Sequence, residues 1–69
     1  MDENTIANYF TYHPPKDGQQ EKYEDLREEA KTLTIKINNL CPESREKSLA
    51  VTKLREAIMW ANASIAVNE

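Results

Sequence analysis

The chain has 69 residues, 9 Lys and Arg against 12 Asp and Glu, a formal net charge of -3, one Cys and one His. That length allows one domain with a marginal core, since so short a chain buries only about 60% of its unfolded surface. The acidic balance argues against coating duplex nucleic acid, Cys41 has no partner for an intrachain disulfide, and His13 with Cys41 cannot make up four zinc ligands.

Of the usual staples for a small scaffold, association with other chains is what these exclusions leave. A small anionic ligand stays open, because it needs only a few placed Arg or Lys side chains whatever the net charge. No apolar run approaches the roughly 20 residues of a membrane span, and the opening MDENTIANYF has neither the basic nor the apolar region of a signal peptide. A cytosolic chain is expected.

Residues 1–18 read as a non-helical arm, because Pro14, Pro15 and the single glycine, Gly18, cluster there. The arm carries Tyr9, Phe10, Tyr12 and His13. Beside two prolines these aromatics could stack on nucleobases, worth roughly 1 to 3 kcal/mol per base. Composition favours the plainer alternative, that Tyr9 or Phe10 packs over the rest of the chain as extra core, which still leaves Tyr12 to face a ligand.

From residue 19 to 38, Tyr23, Leu26, Ala30, Leu33, Ile37 and Leu40 alternate spacings of three and four and so predict an amphipathic helix whose stripe meets a partner. Good helix formers on the charged side agree with it. Asn38 and Asn39 can adopt left-handed backbone at a helix end, and Pro42 forbids simple continuation, so a break is expected near residues 38–43.

Ser44 is a natural N-cap, with Glu46 placed for the helix dipole, although Lys47 three residues on denies a full capping box. The second helix is predicted over residues 45–67 with the stripe Val51, Leu54, Ile58, Ala61 and Ile65. A short connection makes the pair an antiparallel hairpin spanning residues 19–67. Leu49, Ala50, Ala57, Met59, Trp60, Ala63 and Ala66 widen the apolar surface beyond what one neighbouring helix covers, and only other copies or a partner could surround it.

The expected class is therefore all-α: a two-helix hairpin with a short N-terminal arm, assembled as a homo-oligomer. Ile58, Met59, Trp60, Asn62 and Ile65 are its expected interface. Trp60 would serve as an anchor, and Asn62 as a polar group that fixes register.

Little points to catalysis. Cys41, beside Pro42, has no acid–base partner in view, Glu28 and Glu29 read as a solvated face, and no glycine-rich phosphate loop exists. Most of the basic residues, Lys22, Arg27 and Lys31 on the first helix and Lys47, Lys53 and Arg55 on the second, read as surface charges. Arg45 at a helix start could add a guanidinium fork to free backbone N–H groups, or simply be solvated.

The run SREKSLAVTKLREAIMWANASIA over residues 44–66, with YHPP, the Tyr23 to Leu33 stripe and the NLCP turn, resembles the helical-hairpin domain of phage anti-CBASS and anti-Thoeris sponge proteins. The likeness spans residues 9–67. It implies a phage immune-evasion protein in the cytoplasm of an infected bacterium that sequesters cyclic oligonucleotide messengers intact, so that CBASS-type effectors are not activated. It implies no enzyme activity and no cofactor.

The resemblance further implies a homohexamer with cyclic dinucleotides bound between protomers and, in many members, cyclic trinucleotides where three protomers meet. Some relatives take cyclic ADP-ribose-type signals. By position Tyr12 would stack on a base, His13 and Pro14 would shape the wall, and Arg27, with Lys31 second, would meet the phosphate. A pocket with one aromatic and one basic side chain from each of two chains matches the two-fold symmetry of a cyclic dinucleotide. Arg45 and Thr52 carry over to the trinucleotide pocket. Composition alone fits another reading equally well, an oligomeric hairpin that acts as adaptor or inhibitor on a host or phage protein.

Overall fold

A computed structural model describes residues 1–69 as three helices: α1 (Glu3–Tyr9), α2 (Gln19–Leu40) and α3 (Arg45–Asn68). At a rise of 1.5 Å per residue, α2 and α3 are rods of roughly 33 and 36 Å. The whole molecule measures 46 × 28 × 12 Å, so its helices form a single layer with no second layer over either face. The start of α2 lies at the end of α3, where Gln19 reaches Ile65 and Glu69. The end of α2 meets the first turn of α3 through Asn38 and Lys47, which makes the pair antiparallel.

The expected non-helical arm is corrected at residues 3–9, which are helical. Asp2 caps α1 by accepting from the Thr5 N–H at 2.9 Å, Glu3 suits the dipole of its first turn, and the breakers Pro14, Pro15 and Gly18 all follow it. Asn8 ties α1 to the hairpin by donating from Nδ2 to the Val67 carbonyl at 3.3 Å. His13 Nε2 lies 2.7 Å from the Asn8 carbonyl. A carbonyl only accepts, so this nitrogen carries the proton.

The break between α2 and α3 falls within the expected stretch, but α2 runs on to Leu40, two residues beyond its expected end. Asn38 and Asn39 stay helical with negative φ; Gly18, at φ 85°, is the one residue with positive φ. The chain leaves the helix at Cys41, φ -103° and ψ 138°, because the ring of Pro42 pushes the residue before it out of the α region. Ser44 caps α3 as expected, accepting from the Lys47 N–H at 3.1 Å.

No apolar side chain is buried; the two buried residues are Gln19 and Lys47. Val51, Leu54, Ile58, Ala61 and Ile65 are half-buried along α3. On α2 the half-buried row is Tyr23, Leu26, Ala30, Thr34 and Ile37. Thr34 replaces the expected Leu33, and Leu33 and Leu40 are exposed. The Thr34 hydroxyl donates to the Ala30 carbonyl at 2.7 Å, so its polarity is satisfied within its own helix.

Candidate functional site

Between α2 and α3 a cleft of about 360 Å³ is lined by Arg27, Ala30, Lys31, Thr34, Leu54, Arg55, Ile58 and Met59. Ala30, Leu54, Ile58 and Met59 give it an apolar lining, and Arg27 and Lys31 from one helix face Arg55 from the other. No Asp or Glu lines it. The ion pairs of the chain, Lys22 with Glu69, Lys47 with Glu43 and Lys53 with Glu56, all involve cations outside this cleft. Three uncompensated cations over apolar carbon suit a ligand that joins an anionic group to a flat apolar one.

The cleft on the opposite flank of the hairpin is different. It shares Ala30, Leu54 and Ile58 but adds Leu26, Thr32, Leu33 and the mixed charges Glu29 and Lys36. A third recess of about 410 Å³ lies between Tyr23, Arg27, Asn62, Ala63 and Ala66, so Arg27 borders two hollows. The Asn62 side-chain oxygen is itself buried without a hydrogen-bond partner, which costs about 1 to 3 kcal/mol. A fourth, of about 530 Å³, has Tyr9 and Trp60 among its walls, with Ala63, Ser64, Val67 and Asn68.

Of the residues singled out from the sequence, Arg27, Lys31, Ile58 and Met59 share the cationic cleft. Tyr12 is 80% exposed and lines no hollow of the single chain, His13 is held half-buried against Asn8, and Pro14 is exposed. Arg45 and Thr52 are exposed on α3. Trp60, at 70% exposure, and Met59 present an uncovered apolar surface, while Ile65 is half-buried. Reading the sequence left Arg55 among ordinary surface charges, because nothing local says that its helix turn faces Arg27. No cluster of three His, Cys, Asp or Glu side chains could hold a metal, and no helix is long and apolar enough to cross a membrane.

One ionisable group is clearly shifted. Hydrogen bonds from Lys22 and Gln19 hold the Glu69 carboxyl below its ordinary value. This group belongs to the open end of the hairpin, where α2 begins and α3 ends, away from the cationic cleft.

A family model described as the Acb2/Tad1 hairpin domain matches residues 1–66. No curated protein and no solved structure matches the chain.

Proposed function

Because the chain belongs to the Acb2/Tad1 hairpin-domain family of non-enzymatic anti-CBASS and anti-Thoeris nucleotide sponges, we propose that it sequesters cyclic oligonucleotide messengers without cleaving them. The observation that carries this reading is the cleft where Arg27 and Lys31 stand over Ile58 and Met59. It offers cations for a phosphodiester and apolar carbon for a base, in a chain whose net charge is -3.

The ligand site is completed by other copies. Met59 lines the cleft and is itself 70% exposed, so a copy covering Met59 and Trp60 also walls the ligand. Tyr12, free of the hairpin in one protomer, supplies the stacking face in the pocket of its neighbour, with His13 and Pro14 behind it. A homohexamer gives two-fold pockets for cyclic dinucleotides and three-fold pockets for cyclic trinucleotides, the latter using Arg45 and Thr52. Cyclic ADP-ribose-type signals share the same chemistry, a phosphate group with a base to stack. The site of action is the cytoplasm of the infected bacterium, where these messengers are made.

The exposed apolar surface also supports a second occupant, a host or phage protein docked on Trp60. Calorimetric titration with cyclic dinucleotides, cyclic trinucleotides and a cyclic ADP-ribose isomer, followed by heat release and chromatography, separates the readings. Tight binding with intact ligand recovered supports the sponge. One dinucleotide per two chains or one trinucleotide per three identifies the pocket. Recovery of linearised nucleotide points to a nuclease instead, and no heat with any ligand overturns the proposal in favour of a protein partner.

A further inference from the structure

We propose that Arg55 is a third phosphate anchor, closing on the ligand from α3 while Arg27 and Lys31 hold it from α2; this rests on the sponge reading and extends it. Arg55 lines the same cleft as those two residues, and no acidic side chain lines it with them. Its neighbour Lys53, by contrast, pairs with Glu56 at 3.4 Å, and the flanking cleft across the hairpin balances Lys36 with Glu29. The cationic cleft is thus the hollow in which positive charge comes from both walls without compensation.

Three like charges around one hollow repel one another, and an anion seated between them relieves that repulsion while meeting all three. Arg27 and Lys31 on one helix could hold a phosphate from one side only. Arg55 adds a planar fork from the facing helix, and a guanidinium meets a phosphodiester through two parallel hydrogen bonds where an ammonium acts as a point charge. The apolar carbon of Leu54, Ile58 and Met59 beside it lowers the local dielectric and strengthens each contact. Arg55 is therefore expected to set how tightly the phosphate is gripped, with a preference for ligands whose phosphate can reach both helices.

The test uses the full chain and titrates cyclic di-adenylate and cyclic tri-adenylate at two salt concentrations into the wild type, R55Q, R55K, R27Q and K53Q. Arg55 is exposed, so its variants should keep the fold. The expected result is an affinity loss of about tenfold or more in R55Q for at least one ligand, with a shallower salt dependence, since one cation fewer neutralises phosphate. R55K should restore the salt dependence but only part of the affinity, and K53Q should bind like the wild type. R55Q binding with wild-type affinity and salt dependence, while R27Q weakens, overturns the role of Arg55 alone. Absence of binding by the wild type overturns the sponge reading and this inference with it.

Discussion

The Lys47 ammonium donates to the Asn38 carbonyl at 3.0 Å with its side chain only 8% exposed. It also meets Glu43 Oε1 at 2.5 Å. A residue from the first turn of α3 thus satisfies a carbonyl in the last turn of α2, where intrahelical donors run out and the dipole favours a positive charge. Lys47→Met keeps much of the aliphatic stem but strands that carbonyl. A loss of about 1 to 3 kcal/mol is expected, read as a lower unfolding midpoint at fixed protein concentration; an unchanged midpoint would show that water replaces the ammonium without cost.

At the other end of the hairpin, Glu69 receives Lys22 and Gln19, and Lys16 donates to its main-chain oxygen. Its carboxyl lies below the ordinary value of 4.5, so the folded state binds this proton less readily than the unfolded one. The stabilisation is complete above the unfolded value and is lost as pH falls through the lower folded value. In unfolding measurements from pH 7 downward, the wild type should lose more stability than Glu69→Gln below pH 4.5, and parallel acid profiles would remove Glu69 from the account.

How much of this could be read in advance differs by residue. The hairpin was legible because two three-and-four stripes are separated by Pro42 and Ser44, and the cap at Ser44 is a local signal. The α1 helix was missed because a seven-residue segment has too few turns to show a period, and the Asp2 cap was outweighed by the breakers beyond it. Burial of Gln19 and Lys47 was hidden because it depends on where the other helix ends. The choice of Thr34 over Leu33 is set by the rotation of α2 against α3, and the hydroxyl bond to Ala30 is what lets a threonine occupy that half-buried face. Arg27 and Lys31 were singled out by resemblance, whereas the facing position of Arg55 is a matter of register between two helices that no single stripe records.

Trp60 gives a direct test of assembly. It is 70% exposed in the single chain, so an isolated protomer should emit like solvated indole. In an oligomer that covers Met59 and Trp60, emission should be blue-shifted and move red on dilution as light-scattering mass falls. Trp60→Glu places a charge in that surface and should give monomers, because burying an unpaired carboxylate is costly. An oligomer of unchanged mass would put the interface elsewhere.

Tyr12 and Arg27 are expected to act differently on a cyclic dinucleotide. Tyr12→Phe keeps the aromatic face and should bind within about twofold of the wild type, whereas Tyr12→Ala removes a stacking contact worth roughly 1 to 3 kcal/mol per base. Arg27→Gln should weaken binding and flatten its salt dependence, as loss of a phosphate contact does. Equal losses in the Phe and Ala variants would mean that the phenol hydroxyl, not the ring face, is what the ligand meets.

Arg45 separates the two proposed pockets. It is the first residue of α3, exposed, and in no ion pair, and the Ser44 hydroxyl beside it already caps the Lys47 N–H at 3.1 Å. The side chain is therefore not needed to begin the helix, so Arg45→Gln should leave the unfolding midpoint unchanged. In a three-fold pocket one substitution removes three guanidinium groups from three phosphates, and charge-assisted contacts of this kind contribute roughly 1.5 to 3 kcal/mol each. Cyclic trinucleotide binding by Arg45→Gln should consequently fall by well over about tenfold, while cyclic dinucleotide binding, gripped from Arg27 and Lys31, stays within about twofold. Parallel losses for both ligands would place Arg45 in the dinucleotide site as well. Retention of both would leave it a solvated charge at the start of a helix.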